Sequence, residues 1–105
     1  YRELLEGLLD NLEFEERAIR DFMDLDVKAK GEFAKELMLL NMKGPEEKFE
    51  AMRGYKGVFK LKPKGGRIYF TFGSKRRWKV IGILWGEDDK AKSTYAKELL
   101  VKYKA

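Results

Sequence analysis

The chain has 105 residues, 44% of them hydrophobic and 39% charged, a length and mix suited to one folded domain with a single core. It contains no Cys and no His, which excludes disulfides, thiolate nucleophiles, Cys/His zinc sites and imidazole acid–base chemistry. The formal charge of +5 is unevenly spread, because residues 1–50 carry −6 and residues 51–105 carry +11. Between Arg53 and Lys79 there are ten basic residues and no acid. Such asymmetry points to a polyanion partner more strongly than net charge does. A solvated, Lys-rich surface is the plainer alternative.

Residues 1–11 read two ways: Leu4, Leu5, Leu8 and Leu9 fit one helical face, yet Leu8 to Phe14 suits a first strand. Glu15 to Met23 follows with Ala18, Ile19 and Phe22 at helical spacing. Asp24-Leu25-Asp26 reads as a corner, with Asp26 an N-cap for a second helix from about Val27 to Met42. That helix buries Ala29, Phe33, Leu37 and Leu40, and Gly44-Pro45 ends it. The two helices are expected to pack as an antiparallel pair.

The period then changes to two. Val58 to Lys62 alternates Phe59 and Leu61 with Lys60 and Lys62; Pro63-Lys64-Gly65-Gly66 makes a turn. Arg67 to Phe72 alternates again, a second turn lies near Gly73 to Arg77, and Trp78 to Trp85 reads as a central strand. Lys90 onward is helical, with Tyr95, Leu99 and Tyr103 four residues apart. The class is α+β: an N-terminal strand, a helix pair, an antiparallel meander and a last helix in one domain spanning 1–105.

A four-residue turn pairs Lys62 with Arg67, Lys60 with Tyr69 and Val58 with Thr71. Lys60, Lys62, Arg67 and Tyr69 then share one face, and Phe59, Leu61, Ile68, Phe70 and Phe72 meet the helix pair. Lys79 joins the basic face if the second hairpin keeps register, and a one-residue slip reverses that. Clustered cations repel one another unless an anion sits among them, so the face reads as a phosphate site. An exposed sheet whose lysines prevent edge pairing is the alternative. RNA supplies its own nucleophile in the 2′-hydroxyl, so a protein need only align it, move two protons and stabilise the added charge. Arg67 suits the charge, a lysine crowded by cations suits proton exchange, and Tyr69 or Tyr95 can stack on a base.

Phe14-Glu15-Glu16-Arg17-Ala18-Ile19-Arg20-Asp21-Phe22 resembles the strand-to-helix opening of the RelE/ParE toxin superfamily, in its RelE-like branch. Ala51-Met52-Arg53-Gly54 falls where that family has a Leu-x-Gly segment. Phe59-Lys60-Leu61-Lys62, a turn, then Arg67-Ile68-Tyr69-Phe70 is similar to its aromatic-Lys-x-Lys, turn, Arg-x-x-Tyr meander. The likeness covers about residues 12–104 and leaves residues 1–11 as an extension.

The resemblance implies a cytoplasmic toxin paired with an antitoxin protein, cutting mRNA on the ribosome with no metal, cofactor or membrane. By position Lys60, Lys62, Arg67 and Tyr95 match its catalytic residues, Tyr95 with one inserted residue. Arg53, Lys56, Lys64, Tyr69, Lys79, Lys90 and Lys92 are then candidate nucleic-acid contacts. One departure stands out: where the family has further cations after a glycine, Gly86 is followed by Glu87-Asp88-Asp89. A non-catalytic or gyrase-directed relative, and a generic RNA-binding domain, are the other readings.

Overall fold

A computed structural model describes residues 2–44, 49–86 and 88–104, without the side chains of Arg2 and Asp89. The ambiguity at the N-terminus resolves as both elements in succession. Helix α1 (Arg2–Leu8) precedes strand β1 (Leu12–Phe14). Helices α2 (Glu16–Met23) and α3 (Val27–Lys43) follow, joined at Asp24 to Asp26. Asp26 caps α3 as expected, its carboxylate accepting from the Ala29 N–H at 2.8 Å. Gly44 ends α3 with φ 74°, while Pro45 lies outside the described residues.

Strands β2 (Phe49–Ala51), β3 (Val58–Leu61), β4 (Gly66–Phe72) and β5 (Trp78–Trp85) precede helix α4 (Asp89–Leu99) and a 3₁₀ turn, Val101–Tyr103. The sheet order is β1-β5-β4-β3-β2. All neighbours are antiparallel except β1, which lies parallel to β5 with Glu13 opposite Lys79. β2 was not expected. Its three residues are all exposed, so it carries no buried/exposed alternation for a sequence reader to detect.

Each face of the sheet carries its own core. On one side Leu12, Phe14, Leu61, Ile68, Phe70, Val80 and Ile83 pack against Ala18 of α2 and Phe33, Leu37 and Leu40 of α3. On the other, Val58, Tyr69 and Ile81 lie beneath Ala96, Leu99 and Leu100. The period-two and period-3.6 patterns are thus satisfied together. Phe72 is the exception to the expected inward set. It is 63% exposed beyond the helices, stacking on Trp78 with ring centroids 5.2 Å apart.

Candidate functional site

The β3–β4 register is the one expected, with Val58 opposite Thr71 and Lys60 opposite Tyr69. The turn that sets it needs Gly65, whose φ of 81° and contact with the Trp85 ring leave no room for a side chain. Glu50 of β2 lies opposite Lys60, so Glu50, Lys60, Tyr69 and Gly82 form one cross-strand row. Arg67, two residues before Tyr69, occupies the same face.

That face is not bare, as the sequence reading had it. α4 covers its β5 side and leaves Tyr69 only 3% exposed, its ring 6.0 Å from that of Tyr95. Gly82 makes the close approach possible, since a Cβ there would lie 2.5 Å from Leu99 and from the Tyr95 hydroxyl. Burial raises the Tyr69 phenol pKa, opposed by the charge of Arg67. Tyr69 is therefore a core residue and its ring is closed to base stacking, correcting its expected nucleic-acid contact.

Tyr95 is tied down in a similar way. Its hydroxyl donates to the Asp21 carboxylate and accepts from the Ile83 N–H at 3.0 Å. Arg17 pairs with Asp21 at 3.3 Å and lies 5.1 Å over the Tyr95 ring. Burial, then the Asp21 hydrogen bond and charge, push the phenol far above its ordinary value. A phenol so held fixes α4 to the sheet and is poorly placed to exchange protons with RNA. Tyr95→Phe is expected to cost about 1–3 kcal/mol, read as a lower thermal midpoint, because Ile83 and Asp21 lose a partner. RNA binding at a temperature where both proteins are folded is expected to stay unchanged.

What remains open is the β2–β3–β4 end. There Lys60 and Lys62 have side chains 25% and 44% exposed. Arg67 is half-buried and donates from Nη1 to the Gly66 carbonyl at 2.7 Å. An acid sits among these cations although the sequence between Arg53 and Lys79 has none. Glu50 Oε1 is 3.0 Å from Lys62 Nζ, and Oε2 is 3.8 Å from Lys60 Nζ. Its hydrogen bond with Lys62 holds the carboxyl below its ordinary value; desolvation opposes this, and the charges of Lys62, Lys60 and Arg67 add to it. The premise of unrelieved cation crowding therefore fails. Glu50 escaped the sequence reading because it lies three residues before the acid-free stretch, on a strand with no legible pattern.

The other candidates are distributed around this centre. Lys64 is exposed in the neighbouring turn, while Arg53 and Lys56 are exposed in the β2–β3 connection, where the Lys56 N–H donates to the Tyr103 carbonyl at 2.8 Å. Lys79 lies opposite Thr71 and so on the same face, as the matching register requires; the register shift falls further along the pair, between Tyr69 and Phe70. Lys79 nevertheless stands apart from the cluster, beside Glu13 and Glu15, whose carboxyl pKa values are lowered chiefly by hydrogen bonds from Ser74 and Lys102 respectively, with the charge of Lys79 adding to this. Lys90 and Lys92 belong to α4, Lys90 exposed and Lys92 half-buried.

The acidic segment after Gly86 has a local explanation. Asp88 is the N-cap of α4, its carboxylate accepting from the Lys90 N–H at 2.9 Å and the Ala91 N–H at 3.3 Å. Glu87 lies outside the described residues. A cleft of about 430 Å³ lined by Asp21, Asp24, Asp26, Leu84, Trp85 and Tyr95 adjoins the basic cluster, for Leu84 pairs with Arg67. Its carboxylates repel anions, so the β2–β4 side is the more favourable for an anion. Among the described residues no group of three or more His, Cys, Asp or Glu is placed to hold a metal ion. None of the described helices is long and apolar enough to cross a membrane.

A helix pair on one side of a meander, one helix on the other and a parallel N-terminal strand define a RelE-like α+β fold. The chain is similar to a free-state mutant of the Escherichia coli toxin RelE, with two arginines changed to alanine. The TM-score is 0.64 at 20% sequence identity, over 87% of this chain and 93% of that one. No protein-family model and no curated protein matches the sequence.

Proposed function

We propose that the protein is a RelE-like toxin that binds RNA phosphates at Lys60, Lys62 and Arg67 and cleaves mRNA on the ribosome. The observation carrying this reading is the cluster itself. Lys60 of β3, Lys62 just beyond it and Arg67 of β4 surround Glu50 at the open end of the sheet, and among the described residues Glu50 is the carboxylate that pairs with the two lysines. In the reaction the 2′-oxygen attacks the adjacent phosphorus and the bond to the 5′-oxygen breaks. The 2′-proton leaves and the 5′-oxygen gains one, giving a 2′,3′-cyclic phosphate and a 5′-hydroxyl. Arg67 stabilises the charge on the phosphorane-like oxygens, while Lys60 and Lys62 hold the phosphate and carry protons. Arg53, Lys56 and Lys64 contact flanking phosphates, with Lys90 and Lys92 at the edge of α4. Tyr95 serves here by seating α4. An antitoxin that shields the basic end is the expected cytoplasmic partner.

A second reading, RNA binding without cleavage, is favoured by one observation. Where the resemblance calls for cations after Gly86, Asp88 supplies a helix cap. Inducing the protein in cells and mapping RNA 5′ ends separates the two. Growth arrest with new 5′-hydroxyl ends in mRNA, both absent in a Lys60→Ala/Lys62→Ala/Arg67→Ala variant, is the expected result. Arrest that persists in the triple variant would overturn the assignment. DNA damage signalling without cut mRNA would select a gyrase-directed toxin instead.

A further inference from the structure

We propose that Glu50 is a built-in counter-ion of the phosphate site, displaced when RNA binds, and that it makes the site select phosphodiester chains such as RNA over single anions. The inference rests on the phosphate-site reading and adds a residue to it. Glu50 places two carboxylate oxygens against two ammonium groups, 3.0 Å from Lys62 and 3.8 Å from Lys60. Phosphate oxygens bridging the same lysines would take much the same positions. The two anions therefore compete for one place.

The competition is nearly even for a lone phosphodiester, which brings one negative charge against the one that Glu50 already supplies. A single anion thus gains little on entering. An RNA strand gains more, because successive phosphates also reach the exposed cations Lys64, Arg53 and Lys56, which pair with no carboxylate among the described residues. Displacement is geometrically easy. The Glu50 side chain is 52% exposed and stands on a three-residue strand at the sheet edge, so it can swing into solvent without unpacking a core.

The remaining neighbours support an electrostatic role over a packing one. Opposite Glu50 lies Lys60, and beyond it the buried Tyr69, which offers no charge. Arg67 contributes a third positive charge that Glu50 feels. Neutralising Glu50 leaves those three cations without their counter-charge, a better trap for any phosphate.

Equilibrium binding of two probes tests this: dimethyl phosphate, a phosphodiester with a single negative charge, and a short 2′-O-methylated single-stranded RNA that cannot be cut. Glu50→Gln keeps the size of the side chain and removes its charge. It is expected to tighten dimethyl phosphate binding about fivefold to tenfold, as removal of a like charge near 4 Å should. RNA should gain by a smaller factor, so the preference for RNA over dimethyl phosphate narrows. Unchanged or weaker dimethyl phosphate binding by the variant would overturn the role of Glu50. The Lys60→Ala/Lys62→Ala/Arg67→Ala variant separates the two levels. If it loses RNA while Glu50→Gln gains nothing, only the counter-ion is wrong. If it binds RNA as wild type does, the phosphate site falls and the counter-ion with it.

Discussion

Arg67→Ala is expected to slow RNA cleavage by about 10²- to 10³-fold with little loss of stability. The magnitude is that of removing one aimed charge from a developing oxyanion. The guanidinium projects from β4 on the face shared with Lys60, and its hydrogen bond among the described residues goes to the adjacent Gly66 carbonyl. Arg67→Lys restores charge without the planar fork and is expected to recover part of the rate. Single-turnover cleavage of one RNA by the three proteins measures this, with thermal unfolding as the control for folding. Equal rates for wild type and Arg67→Ala would remove Arg67 from the chemistry.

Phe33→Ala is expected to cost about 3–5 kcal/mol, a large share of the 5–15 kcal/mol typical of a small domain. Phe33 is fully buried on α3, meets the Trp85 ring edge-on at 5.8 Å, and lies against the backbone at Gly66. It therefore supports the start of β4, one residue before Arg67. Losing its ring opens a cavity under the strand that aims the guanidinium. Denaturant unfolding checks the stability, and activity should fall in step with the folded fraction. A midpoint near that of wild type would contradict the packing.

Legibility from sequence followed the strength of local pattern. Phe33, Leu37 and Leu40 repeat at helical spacing, and Ile68 and Phe70 alternate, so both were placed correctly on the inner core. The Pro63 to Gly66 turn fixed the pairing of Lys60 with Tyr69. Three features escaped, each for a reason of tertiary structure. β2 pairs through its backbone while all its side chains are exposed, so no hydrophobic period marks it. Tyr69 has the alternation of a surface residue, yet Tyr95 and Leu99 arrive from more than twenty residues later to cover it. Asp88 looked like an opponent of phosphate and is a helix cap, a role visible only once α4 is seen to begin beside it. Alternation within a strand assigns a face. It does not say what else lies on that face.

The basic cluster was legible as composition and correct as register, and the structure reduced its open part to Lys60, Lys62 and Arg67 with Glu50 among them. The most direct measurement of its role is the salt dependence of binding to a short single-stranded RNA. Each phosphate neutralised contributes about 0.7 to the slope of log K against log salt on a single strand. Replacing Lys60, Lys62 and Arg67 by Ala should flatten that slope by about 2 and weaken binding across sequences alike. An unchanged slope would mean that RNA phosphates bind elsewhere on the protein.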